Sequence, residues 1–177
     1  MPNGKTHDVI TLLLTVPVAA AAYMATGAAF TSSLLAVSFV FGGLMFGPDL
    51  DIVSRQYSRW SIFRFLWLPY RSFFKHRSRW SHGLIFGTLI RTVYFMGVVT
   101  LAAYVVVCAA EIISQGGFAL EPGMIRGWVN LGRAANANLG EWGTITVFAG
   151  MWLGAASHTL TDISGTYIKT GRVTDLL

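Results

Sequence analysis

Two pairs of side chains in this sequence have the types and spacing expected of metal ligands. His158 and Asp162 stand four residues apart, which places both on one face of a helix. Asp49 and Asp51 follow a Gly-Pro helix stop, and in an extended segment side chains two residues apart point the same way. Imidazole and carboxylate ligands suit zinc, manganese and iron. Each pair also has a plain structural explanation, a hydrogen bond between helices for the first and a helix N-cap for the second.

The remaining histidines lie close to the ends of long apolar runs. His7 lies just before the first run, and His76 and His82 lie in a cationic, aromatic tract before the third. Taken singly, they are equally well explained as ordinary interfacial side chains. Their meaning depends on the helices that position them and on the solvent around those helices.

The composition indicates that lipid is that solvent. Of the 177 residues, 54% are hydrophobic and 12% are charged, which is roughly half the charged fraction of an ordinary soluble domain. The mean hydropathy is +0.56. This excludes a disordered chain, a coiled coil and most soluble folds, and the single Cys108 excludes an intrachain disulfide.

Four apolar runs are long enough to cross a bilayer, which takes about 20 residues. Gly27 separates the first two and predicts a helical hairpin, and the glycine pairs at 42–43 and 150–154 predict close helix contacts. A short amphipathic helix is expected after Glu121-Pro122 in the far-side loop, 111–142. We therefore predict one domain, 1–177, an all-α integral membrane protein with four transmembrane helices. They cover residues 9–26, 28–47, 92–110 and 143–160.

Four spans put both chain ends on the same side of the membrane. Ten lysines and arginines fall firmly on that side, whereas Arg126 and Arg133 fall on the other. By the positive-inside rule the side with both termini is the cytoplasm. Every histidine and every aspartate falls there, and every glutamate falls on the far side.

We expect the cytoplasmic ends of the helices to form one metal site, because each of them supplies a candidate ligand. Asp51 is expected to act as general base, as a hydrogen-bond partner of the ligands or as a bridging ligand. The expected metal is zinc, with manganese and iron as alternatives. The predicted ligands are His7, Asp49, His76, His82, His158 and Asp162.

A basic and aromatic stretch, 52–80, is expected at the cytoplasmic surface. From Arg55 to Trp80 it holds seven basic residues, nine aromatic residues and no acid. We predict an interfacial helix, broken at Pro69, with rings at headgroup level and arginines on the phosphates of anionic lipids. Binding of nucleic acid is disfavoured. Arg91 is expected either to extend to the interface or to face the metal pocket.

The motifs resemble a family of small predicted metal-binding membrane proteins common in cyanobacteria. The resemblance rests on Thr6-His7-Asp8, on Phe41 to Asp51, on His76 to Gly83 and on His158 to Asp162. More distantly, the same pieces resemble bacterial inner-membrane proteins predicted to be metal-dependent hydrolases and linked to zinc phospholipase C and P1 nuclease. That resemblance implies zinc bound through a His-x-x-x-Asp pair. With four histidines and no cytoplasmic glutamate, one or two ions are expected rather than three.

The favoured function is metal-dependent hydrolysis of a phosphoester in a lipid, in the plasma membrane or a thylakoid. Bound metal would bring the pKa of water to about 7, and Arg77 and Arg79 would neutralise phosphate charge. One alternative is an accessory or assembly subunit of a larger membrane complex, with a structural metal site. A pigment or haem protein with His158 or His76 as axial ligand is disfavoured, because nearby carboxylates suit a hard divalent ion better.

Overall fold

The all-α prediction is confirmed for the part of the chain that the structure describes. The computed structural model describes residues 3–74, 80, 83–84, 86–115 and 123–171. Every regular element within these ranges is helical. The α-helices are α1 (Gly4–Thr26), α2 (Ala29–Leu44), α3 (Arg55–Arg59), α4 (Leu68–Phe73), α5 (Phe86–Gln115), α6 (Gly123–Leu139) and α7 (Gly143–Thr170). Two 3-10 helices, Pro48–Asp51 and Ser61–Trp67, lie between α2 and α4.

The first two helices form the predicted hairpin. Asn3 caps the start of α1, where its side chain accepts a hydrogen bond from the backbone N–H of Thr6 at 3.0 Å. Gly27 ends the helix in the left-handed region, with φ of 63°, a conformation that costs glycine little. The Ser32 hydroxyl donates to the Ala19 carbonyl at 2.6 Å and ties α2 back to α1.

Helices α2 and α7 approach so closely that glycine is required at their contact. A Cβ atom on Gly154 would lie 2.1 Å from the carbonyl oxygen of Phe39, and one on Gly42 would lie 2.2 Å from that of Met151. Both obstacles are backbone atoms, which cannot rotate away. The predicted role of these glycines in close helix packing is confirmed.

Two helices have the length and hydropathy needed to cross a membrane, among the residues that the structure describes. They are Gly4–Thr26 and the portion Phe86–Val106 of α5. Helix α2 is apolar but has only 16 residues, fewer than the roughly 20 needed to span hydrocarbon. Helix α7 has 28 residues but is less apolar, since Ser, Thr, His and Asp side chains interrupt it. The four-span arrangement therefore stays a prediction.

The basic and aromatic stretch does not fold as one continuous helix, and that part of the prediction is wrong, whereas its interfacial position stays a prediction. It folds as α3, the second 3-10 helix and α4, with a positive φ of 49° at Ser61 between the first two. Pro69 lies in the first turn of α4 rather than breaking a helix, because a first-turn residue needs no backbone donor. Trp67 and Tyr70 have no exposed surface and pack with Phe46 in a buried cluster instead of lying at headgroup level.

The predicted helix after Glu121-Pro122 is present as α6. It begins directly after that dipeptide and ends at Gly140, whose φ is 80°. Pro before a helix start and Gly after its end are the usual boundary signals. The sequence signals therefore predict both ends of this helix correctly.

Candidate metal centre

Three of the predicted ligands lie together between α1 and α7. His7 is in the first turns of α1, and His158 and Asp162 are one turn apart on α7. A ligand atom from each lies within 4.8 Å of the other two. All three are buried, with 3% to 5% of their surface exposed.

Asp162 lies against both imidazole rings. Its Oδ1 is 3.1 Å from Nε2 of His7, and its Oδ2 is 3.7 Å from Nε2 of His158. The two rings stack at 3.8 Å between centroids, with 9° between their planes. In this arrangement one carboxylate and two nitrogen atoms face a common space.

Asp49 brings a fourth predicted ligand to the same place. Its Oδ2 lies 3.4 Å from Nε2 of His158, although 109 residues separate the two in sequence. The short 3-10 helix Pro48–Asp51 directs this carboxylate back toward α7. The side chain is 23% exposed, so Asp49 is the member of the group that water can reach.

The buried polar atoms of the group fit a divalent cation. His7 Nδ1, His158 Nε2 and Asp162 Oδ1 are buried and make no hydrogen bond among the described residues, although the last two have the ion-pair contacts given above. Leaving such atoms unsatisfied costs about 1–3 kcal/mol each. A cation held by imidazole nitrogen and carboxylate oxygen would remove much of that cost, and the donor set suits zinc or a harder divalent ion.

Gln56 contacts Nδ1 of His158, the ring nitrogen that faces away from the two carboxylates. Its amide nitrogen donates to the Gly43 carbonyl at 2.7 Å and lies 3.1 Å from Nδ1 of His158, while its oxygen accepts the Asp49 backbone N–H at 3.2 Å. The two backbone bonds decide which end of the amide faces the ring. Nδ1 of His158 is therefore an acceptor, and the ring proton lies on Nε2, facing the carboxylates. Metal coordination through Nε2 requires the ring proton on Nδ1, where the Gln56 amide nitrogen, itself a donor, cannot accept a hydrogen bond from it.

A small polar cavity leads to this group. Its volume is about 150 Å³, and its lining includes His7, His158, Asp49, Gln56, Asp8 and Arg55, of which the half-exposed Arg55 marks the solvent side, or mouth. Since a water molecule occupies roughly 30 Å³ in the liquid, the cavity has room for an ion with several waters. Asp8 pairs with Arg59 at 2.6 Å and with the half-exposed Arg55 at 3.3 Å.

Asp51 lies apart from the ligand group. It is buried, and its charge acts on Arg91 and on the hydroxyl of Tyr70. Burial raises the pKa of Tyr70, while the neighbouring Arg91 guanidinium opposes that rise. Asp51 is also absent from the described residues that line the small cavity.

Arg91 points into the protein rather than toward the membrane surface. It is 2% exposed, its Nε donates to the Phe46 carbonyl at 3.1 Å, and its Nη2 donates to the Thr88 hydroxyl at 3.0 Å. Of the two expected orientations, extension to the interface is wrong. Arg91 instead joins α5 to the turn that carries Asp49 and Asp51.

Four predicted site residues lie outside the described residues. They are His76, Arg77, Arg79 and His82. Their roles as ligands and as phosphate-binding cations stay predictions.

Sequence reasoning did not place Gln56, Asp8 or Arg55 in the site, although Asp8 belongs to the Thr6-His7-Asp8 motif and Arg55 to the basic stretch. Asp8 directly follows His7, and that adjacency alone was a signal of proximity to the ligands. Gln56 and Arg55 had no comparable signal, because nothing in their spacing relates them to α7. Their contact with the site follows from the path of the chain after Pro48.

The buried His/Asp group is compatible with a metal-binding protein, and the comparison with known families points to the same class. Residues 2–172 match the family described as "Uncharacterized metal-binding protein (DUF2227)", and the chain belongs to that family. A protein of Aquifex aeolicus (strain VF5), described as "Uncharacterized protein", is 34% identical over 59 residues. That match covers 33% of this chain and 41% of the relative, so the chain spans about two fifths of the relative's length. No solved structure matches the chain.

Proposed function

We propose that this chain is a membrane-embedded, metal-dependent hydrolase of a phosphoester, most simply one carried on a lipid. The observation that supports this best is the small cavity, whose lining includes His7, His158 and Asp49 together with the half-exposed Arg55. A catalytic metal site keeps one position open to water or substrate, whereas a structural site is closed by side chains. The cavity would let water or substrate reach such an open position beside Asp49.

The side chains around the cavity have complementary roles in such a reaction. His7, His158 and Asp162 would hold the ion, which when bound supplies Lewis acidity and a water of pKa about 7. Asp49 lies on the cavity wall, so we assign to it the removal of a proton from the attacking water. Arg55 would neutralise the phosphoryl oxygens at the mouth, and Arg77 and Arg79 are further candidates for that role.

The membrane placement is part of the proposal. Its support is the pair of long apolar helices, Gly4–Thr26 and Phe86–Val106. The ligand group lies at the start of α1 and just past the middle of α7, where the predicted span 143–160 ends. A site at that level could reach lipid headgroups from the cytoplasmic face of a plasma or thylakoid membrane.

Bound metal is the first measurement. We expect detergent-purified protein to carry stoichiometric zinc, manganese or iron by mass spectrometry, and His158→Ala/Asp162→Ala to lose it. Thr161→Ala is the matched control, because it removes a side chain next to Asp162 that only bonds the Ser157 carbonyl. If the wild type and both variants are folded and equally free of metal, the His/Asp group is a polar packing network and the proposal fails.

Turnover is the second measurement. Metal-loaded wild type should release phosphate or a phosphorylated headgroup from lipid phosphoesters, and Asp49→Asn should slow this by about 10²–10⁴-fold, the usual contribution of a general base. If Asp49→Asn keeps its metal but loses turnover, Asp49 acts in proton transfer. If the variant also loses its metal, Asp49 is a ligand. Equal turnover by Asp49→Asn and wild type would remove Asp49 from the mechanism.

The alternative function is that of an accessory subunit of a membrane complex, in which the metal site is structural and not catalytic. Its supporting observation is that the group is almost fully buried and joins the two ends of the chain, α1 and α7. X-ray absorption on the metal-loaded protein separates the two functions. Four side-chain ligands with no water would favour the structural site, and a water ligand would favour the hydrolase.

A further inference from the structure

We propose that a second pocket, on the surface of the basic and aromatic stretch, binds the phosphate of an anionic phospholipid. The pocket has a volume of about 790 Å³, and its described lining residues are all different from those of the metal centre. Its polar lining comes from Arg64, Arg71, Ser58 and Ser61, and no described carboxylate lines it. The proposal depends on the membrane placement but not on the hydrolase reaction.

Arg71 is held in place at one side of this pocket. Its guanidinium carbon lies 4.5 Å from the centroid of the Tyr57 ring, a cation–π contact. Tyr57 is only 6% exposed, so the ring is a fixed platform. Nε of Arg71 is buried and has no hydrogen-bond partner among the described residues. The ring contact therefore fixes the Arg71 guanidinium in the lining of the pocket.

The charge of the pocket selects an anion. Arg64 adds a second, exposed guanidinium to the same lining. Guanidinium groups bind phosphate through paired, charge-assisted hydrogen bonds. The described lining contains two guanidinium groups and no carboxylate. Its positive charge therefore favours an anion such as phosphate over a cation or a zwitterion.

The rim of the pocket indicates that the phosphate belongs to a lipid. Ile62 is 74% exposed, Phe65 is 55% exposed and Leu68 is 51% exposed, and all three line the pocket beside the arginines. Apolar side chains so exposed are costly in water but favourable against acyl chains. The pocket also lies on the connection between two apolar helices, α2 and α5, where headgroups are expected. A free phosphate would leave this rim uncovered.

The test measures retention of lipid by the full-length protein. Purified protein is reconstituted in nanodiscs of phosphatidylcholine with a minor fraction of spin-labelled phosphatidylglycerol, and the motionally restricted fraction is measured. Arg64→Gln/Arg71→Gln should weaken phosphatidylglycerol binding by roughly thirtyfold, at about fivefold for each arginine near an anionic surface. Arg133→Gln on α6 is the matched control for loss of positive charge and should change nothing.

Two further variants and a measurement of bound metal test the same pocket. Arg71→Lys keeps the charge but removes the planar guanidinium that pairs with phosphate, and should lose part of the preference. Arg64→Gln alone changes an exposed side chain, so it tests the pocket even if the double variant misfolds. Bound metal should be unchanged in every folded variant, which separates this site from the metal centre. Wild-type retention by Arg64→Gln and by the double variant, or full competition by inorganic phosphate, would overturn the lipid site.

Discussion

At the scale of single residues, the candidate centre combines predictable ligands with an unpredicted neighbour. His158 and Asp162 follow from their spacing on one helix turn, and the structure places them 3.7 Å apart. Gln56 does not follow from any spacing, yet its amide decides which nitrogen of His158 carries the proton. The affinity for metal should therefore respond to Gln56 although this residue is not a ligand.

Gln56→Glu should bind divalent metal at least tenfold more tightly than wild type, within the 10–100-fold range typical of partners of metal-bound histidine. A carboxylate at this position accepts a hydrogen bond from Nδ1–H of His158, which keeps the ring proton on Nδ1 and leaves Nε2 free for coordination. Competition with a chromogenic chelator gives the dissociation constants. Ser54→Asp, which adds the same charge to the lining of the small cavity, controls for electrostatic attraction alone. Equal gains in the two variants would contradict the role of the proton position.

At the scale of elements, the α2–α7 contact positions the centre. Glycine at 42, 150 and 154 lets the two backbones touch, and this brings the end of α2, and with it Asp49, next to His158. The turn after α2 then directs Gln56 into the same contact. A small change in the distance between these helices would separate ligands on different elements.

Gly154→Ala should lower the Tm and reduce bound metal together, because its Cβ would lie 2.1 Å from the Phe39 carbonyl and 2.6 Å from the Gly43 nitrogen. Overpacking of this kind costs about 1–3 kcal/mol, and sometimes more. Gly97→Ala on α5 is the control, since its added Cβ would have no atom of the described residues within 4 Å, and alanine favours a helix. Thermal unfolding in detergent and metal analysis check both. A Gly154→Ala protein as stable as Gly97→Ala would argue against the close contact.

At the scale of the whole molecule, the centre joins segments that are far apart in sequence. His7 and Asp162 are separated by 155 residues, and their side chains lie 3.1 Å apart. Bound metal would therefore act as a cross-link between the first and last described helices. Its contribution to stability should appear in global unfolding rather than in one local region.

Chelation of bound metal should lower the Tm of the wild type by several degrees, because a ligand present at 100 times its dissociation constant contributes about 2.7 kcal/mol. His158→Ala/Asp162→Ala should show no such response, and Thr161→Ala should respond like wild type. Differential scanning fluorimetry with and without chelator provides the comparison. A chelator response that persists in the ligand variant would place the metal elsewhere.

The sequence by itself determined the helical class, the hairpin at Gly27, the helix after Glu121-Pro122 and the glycine contacts. Each of these depends on local patterning, composition or residue size, which a single sequence displays directly. The His158 and Asp162 pair belongs to the same category, because one helix turn relates the two side chains. Metal binding itself agrees with the family to which the chain belongs.

Only the tertiary structure decided which distant residues meet. It brought His7 and Asp49 to the α7 pair, turned Asp51 and Arg91 toward Tyr70, and buried Trp67 where an interfacial ring was expected. Contacts of this kind depend on how helices pack and on the path of the turn after Pro48. No periodicity along the chain encodes that path, because it results from the combined packing of α1, α2, α5 and α7.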